Sequence, residues 1–337
     1  MFAALPVWAG SIRVATYNTE LSRDGPGLLL RDIRRGDSQA LAVAQVIAAA
    51  HPDILLLQNI DYDRRLATAK ALSALIADAG HVFPHMLAFA PNAGLPTGYD
   101  LNADGRRWGP ADAQGFGRFA GQGGMLLLSR YPFEETEDYS PLLWRDMAWT
   151  DPAAITQAWG DVAGLRLAAV GAWRVRVRTG AGPLTVLAFH AAPPVFDGPE
   201  DRNGLRNQDQ LLFWAHKIAQ MAGPLVLLGD ANNDPAKGDG RKAAIRALLT
   251  HPRLTDPLPD RPTVDWQDLG LGWMRVDYAL PSRDLAVTGA GVADTPRAEQ
   301  ASRHRLVWVD LMLGANAQPP PPMPALVGLG ESRATVH

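Results

Sequence analysis

The sequence predicts an α/β fold in which packed β layers carry helices on their outer faces. Three observations lead there. Apolar strand-like runs alternate with helical patterns along the chain. Two of the strands are joined tightly enough to form a hairpin, which argues against a purely parallel sheet. No shift in composition marks a second domain, so one domain is expected over residues 11–315.

The elements follow in order. SIRVATYN (11–18) alternates apolar residues and reads as a strand. Asp37 or Ser38 can cap the helix QALAVAQVIAAA (39–50), and Pro52 bars its continuation. DILLLQNI (53–60) is an apolar run suited to a buried strand, and the helical pattern after it ends at Gly80. Residues 90–123 form a long loop rich in Gly, Pro, Asn and Asp, a length usually reserved for function. GGMLLLSRYP (123–132) reads as a strand, and WRVRVRTG with PLTVLAFH as the hairpin. A loop, AAPPVFDGPEDRNG, leads to the helix LRNQDQLLFWAHKIAQMAG and the strand PLVLLGD (224–230). A short helix near 240–250 and strands near 275–280, 285–289 and 305–311 complete the domain.

Composition narrows the function classes. The chain has 337 residues, 47% apolar and 20% charged, which supports a sizeable core. A formal charge of -3 gives no bulk attraction to nucleic acid or membrane. The absence of cysteine excludes disulfides, thiolate metal sites and thiol nucleophiles. No apolar run is long enough to span a bilayer. The opening MFAALPVWAG (1–10) has two readings, a frayed end or first strand, and the remnant of a signal peptide. The second would place the protein outside the cytoplasm and the first within it. The proline-rich tail, 316–337, is expected to be extended.

Polar residues recur where apolar strands end, and strand ends open onto solvent at a sheet rim. They are Asn18, Asn59 and Asp61, His190, Asp230 and Asn232, and Asp277; His304 precedes the last strand. Each alone is an ordinary turn former, but the recurrence points to a shared site.

The stretches VATYN, PDILLLQN, AFH, LLGDANNDP, RVDYALPS and SRHRLVWVD occur in the order of the endonuclease/exonuclease/phosphatase superfamily, which the chain resembles from about residue 11 to 311. The resemblance implies a four-layer α-β-β-α sandwich of the deoxyribonuclease-I-like kind and a metal-dependent phosphoesterase. It implies that Asp230 orients or deprotonates the attacking water, Asn232 holds a phosphoryl oxygen, and Asn18 binds phosphate or a metal-bound water. His304 would act as base or phosphate stabiliser, with Asp277 fixing its tautomer, and His190 would contact phosphate or act as the acid. Mg²⁺ or Mn²⁺ would be the cofactor.

Two positions depart from that pattern. Active members carry a glutamate, their principal metal ligand, where this chain has Asn59, and an aspartate where it has Arg303. The exchange adds about three units of positive charge to the cluster. Asp61, two residues beyond Asn59, is the candidate replacement ligand if the strand continues, with Asp63 after it. Arg303 can alternatively fork onto a phosphate. The rival to a hydrolase is a catalytically weak or inactive protein that binds a phosphate-bearing ligand on the same scaffold.

Arg202 and Arg206, spaced i, i+4 near a helix start, are candidate phosphate ligands. Arg174, Arg176 and Arg178 share one strand face, read as a solvated sheet edge. The charge balance favours a small phosphoester over long duplex nucleic acid. Trp108, Phe116 and Phe119 either stack on a ligand or pin the long loop to the core, and the second is preferred.

Overall fold

A computed structural model of the chain describes residues 10–314. The readings made for the segment up to residue 9 and for the proline-rich tail lie outside the described residues. In chain order the elements are β1 (Gly10–Asn18), α1 (Leu28–Arg34), α2 (Ser38–Ala50), β2 (Ile54–Ile60), α3 (Ala67–Asp78), β3 (His85–Leu87), β4 (Gly124–Ser129), β5 (Phe133–Asp138), α4 (Pro152–Trp159), β6 (Gly171–Thr179), β7 (Gly182–His190), α5 (Arg202–Gln220), β8 (Leu225–Asp230), α6 (Lys242–Leu249), β9 (Val264–Trp266), β10 (Gly272–Met274), β11 (Asp277–Pro281), β12 (Ala286–Val292), α7 (Ala298–Ala301) and β13 (Val307–Leu313).

Two large sheets organise the molecule. One runs β12-β13-β1-β2-β4-β3 and the other β11-β8-β7-β6-β5; β9 and β10 pair separately. Strand alternation explains the layering. Ile54 and Leu56 of β2 meet Val226 and Leu228 of β8 in an apolar layer between the sheets. Their neighbours Leu55 and Leu57 face the opposite way, onto Val43 and Ile47 of α2. On the second sheet Leu225 and Leu227 likewise turn outward, onto Leu211 and Ile218 of α5. The result is helices, sheet, sheet, helices. The central strands β2 and β8 are buried on two faces and so read as unbroken apolar runs rather than alternating ones.

Each large sheet contains one parallel pair, β1 with β2 and β7 with β8, and all its other pairs are antiparallel. A parallel pair needs a crossover, supplied by α1–α2 in one sheet and α5 in the other. The C-terminal ends of β1, β2, β7 and β8 therefore open where the two sheets abut. The antiparallel β11 and β13 begin at those ends, Asp277 opposite Asp230.

Local signals behave as the sequence suggests at α2. Asp37 caps it by accepting from the Ala40 amide, and His51 ends it in the left-handed region. One reading is corrected. β6 is not a sheet edge, because β5 covers it: Arg174 pairs with Glu135 and Glu137 of that strand, and Arg176 and Arg178 both pair with its Glu134. The strand β5 went unread because its exposed run FEETED carries no apolar alternation.

Truncating Leu56 to Ala opens a cavity between the sheets, and urea unfolding should show a loss of about 2–5 kcal/mol. The half-exposed Leu41 of α2 should change by less than about 0.5 kcal/mol on the same truncation. Equal losses at both positions would contradict the layering.

Candidate active site

Six of the expected residues meet at the rim between the sheets. Asn18 ends β1, and its Nδ2 donates to Asp230 Oδ2 at 2.8 Å, across the gap from one sheet to the other. The same nitrogen lies 3.4 Å from His304 Nε2. His304 Nδ1 is 2.9 Å from Asp277 Oδ2, so the carboxylate fixes the ring's orientation. The Asn232 amide caps Asp230 Oδ1 at 2.8 Å. His190 Nε2 stands 3.6 Å from Asp230 Oδ2, beyond hydrogen-bond length. Asn59 Nδ2 donates to Asn18 Oδ1 at 2.7 Å and so joins from the second strand.

The cluster is buried, so burial and its neighbours' charges together set its ionisation. Burial disfavours a charged His304, but Asp277, hydrogen-bonded to it, outweighs that with help from Asp230 and Glu20, and lifts its pKa to about 9. Its imidazole is therefore a cation at neutral pH. Burial, then repulsion from Asp277, raises Asp230 to about 7 against the opposing pull of His304 and Asn18. Burial, then the charge on His304, lowers His190 to about 3, so that ring is neutral. Among the described residues its Nδ1 is buried without a hydrogen-bond partner, as is Asp277 Oδ1.

Several side chains that position this cluster escaped the sequence reading. Thr263 Oγ1 accepts from the Val276 and Asp277 amides and so sets the start of β11. Asn207 of α5 donates to the carbonyls of Ala192 and Ala231, tying together the loops that follow His190 and Asp230. Its signal was a polar residue on the apolar face of a helix. Trp266 meets the His304 ring edge-on at 5.7 Å between centroids. Glu20 had the plainest signal, an acid two residues after Asn18. One of its oxygens accepts from Arg303 Nε and Nη2, and the other from the Arg303 amide and Ser302 Oγ. Burial works against its charge, yet those bonds to Arg303 hold its pKa below the usual range.

Other expectations need correction. Asp61 does not replace the missing glutamate. Asn59 adopts φ 60° and the pairing of β2 with β4 shifts register there, so the extended alternation stops before Asp61. Its carboxylate instead accepts from Ser22 Oγ and the Arg23 and Gly123 amides, pinning two loops together. Asp63 accepts from the amides that open α3. Arg206 is buried against the carbonyls of Arg166, Leu167 and Ala168, and Arg202 donates to Leu101 O and stacks on Trp159. Both guanidiniums brace α5 against the long loops. Trp108 and Phe116 are 78% and 72% exposed and do not pin their loop to the core.

The donors do not fit a divalent cation. Such an ion needs free anionic oxygen. At the strand end where the glutamate would stand, Asn59 presents an N–H that occupies Asn18 Oδ1, which also accepts from the Glu20 amide. Ligand atoms of Asp230, Asp277 and His304 lie within 4.8 Å of one another. Both Asp230 oxygens already accept hydrogen bonds, which leaves Asp277 Oδ1 as the one buried carboxylate oxygen of that trio without a partner among the described residues, fewer than a divalent ion takes.

Comparison with known proteins gives a consistent picture. A solved endonuclease/exonuclease/phosphatase from Beutenbergia cavernae is similar with a TM-score of 0.61 at 20% identity, covering 90% of this chain and 72% of that one. The human Nocturnin catalytic domain with bound sulfate anion gives 0.53 at 16%, covering 90% and 94%. D. rerio TDP2 complexed with single strand DNA product gives 0.52 at 12%, covering 89% and 98%. No curated protein matches the chain. No helix among the described residues is long and apolar enough to cross a membrane. Residues 15–304 match the Endonuclease/Exonuclease/phosphatase family, and with two large sheets flanked by helices the chain belongs to that family.

Proposed function

We propose that the protein hydrolyses a phosphoester at the rim between its sheets. The carrying observation is the convergence of a buried carboxylate, Asp230, and a buried imidazole, His304, on one strand end, 2.8 and 3.4 Å from Asn18 Nδ2, with Asp277 holding the far side of the imidazole. A carboxylate whose pKa is raised to about 7 is suited to take a proton from water near neutrality. That water's oxygen then bonds to phosphorus as the bond to the leaving oxygen breaks. The imidazolium, neutral His190 and the Asn232 side chain are the donors for the phosphoryl oxygens. His304 Nε2–H gives its proton to the leaving oxygen, and solvent exchange restores both groups. The substrate side remains a phosphate-bearing compound, with small phosphoesters favoured over long duplex nucleic acid on the -3 charge. A second reading, ligand binding without turnover, draws on the loss of acid at Asn59 and Arg303.

Hydrolysis of bis(p-nitrophenyl) phosphate and of p-nitrophenyl phosphate tests the reading. Asp230→Asn and His304→Gln should each lower kcat by at least about 100-fold with the melting temperature retained. Asp61→Ala should instead lower the melting temperature, by loss of about 1–3 kcal/mol. No hydrolysis by the wild type across nucleotide, lipid and sugar phosphates would favour the binding protein.

The rate should follow a bell in pH. Asp230 must be ionised, so activity rises through about pH 7; His304 must be protonated, so it falls through about pH 9. A rate that keeps climbing above the upper limb would contradict the cationic role of His304.

A further inference from the structure

We infer that Arg303 supplies the positive charge a divalent ion would bring, so that phosphate recognition at this rim is independent of divalent metal. The inference rests on the phosphoester reading above. Arg303 directly precedes His304 and adjoins the strand end of Asn18 through Glu20. Glu20 grips the Nε and Nη2 edge of the guanidinium together with the Arg303 amide, which fixes the backbone that carries His304. Ser302 reinforces the grip, donating to Glu20 Oε2 or to the Asn18 carbonyl while accepting from the His304 amide. The remaining end, Nη1, holds only Asp268 among the described residues, whose side chain is 58% exposed. An exposed ion pair of this kind contributes little and exchanges readily. A phosphate oxygen can therefore take the place of Asp268, on a guanidinium whose other edge stays anchored. Glu20 is thus a positioning residue for Arg303.

The same residues exclude the ion. A guanidinium held by Glu20, whose amide donates to Asn18, disfavours a second cation, and Glu20, the acid nearest Asn18 in sequence, has both oxygens engaged. Asn59 turns a donor, not an acceptor, toward Asn18. Restoring acid at both departures should reverse the preference.

Mn²⁺ binding followed by electron paramagnetic resonance separates this inference from turnover. The wild type should leave the free-ion signal unchanged at millimolar Mn²⁺, and N59E/R303D should bind at least about 100-fold more tightly. Inorganic phosphate should bind the wild type in EDTA by calorimetry, and Arg303→Ala should weaken it about 10-fold, with Arg303→Lys between the two. Mn²⁺ sequestered by the wild type and released by Asn18→Ala would overturn the inference and leave the phosphoester reading intact. Unchanged phosphate affinity in Arg303→Ala would also overturn it. A wild type that ignores both Mn²⁺ and phosphate would overturn both readings. The wild-type measurements decide even where the double variant fails to fold.

Discussion

The hydrogen bond from Asn18 to Asp230 is where the two sheets are chemically joined. Apolar packing between them is non-directional and would tolerate small slides. A 2.8 Å bond between side chains that end strands of different sheets is not so tolerant. It sets Asp230 against His304 and Asn232, and the parallel pairs behind it set which strand ends arrive at the rim. The site is a property of how the sheets meet, rather than of any one segment.

Placing this much charge out of water requires compensation. Asp230 and Asp277 flank the imidazolium of His304, and Glu20 takes the guanidinium of Arg303. With all of them ionised, the three carboxylates exceed the two cations by one charge. The backbone there is strained as well: Glu20, Asn59 and Asn232 all have φ between 50° and 60°, a region that asparagine tolerates and glutamate does not favour.

Much of this was legible in the sequence. β1, β2, β7, β8 and the helices α2, α3 and α5 follow from apolar runs and caps, and the polar strand ends named six residues that do converge. The failures share a cause. Asp61 was extrapolated along a strand that Asn59 interrupts, and nothing local to an Asn–Ile–Asp stretch reports a left-handed residue. Arg202 and Arg206 were read by helical spacing near a helix start, yet their partners are carbonyls of residues 101 and 166–168, distant in sequence. Charge opposite charge across long separations, as in Glu20 with Arg303, is invisible to periodicity.

The state of His304 is the centre of the account, and nitrogen NMR of ¹⁵N-labelled imidazole measures it directly. Both ring nitrogens should stay protonated through neutrality and titrate near about pH 9, and Asp277→Asn should bring that midpoint down. A ring that is already neutral at pH 7 in the wild type would contradict the charge balance on which the rim is built.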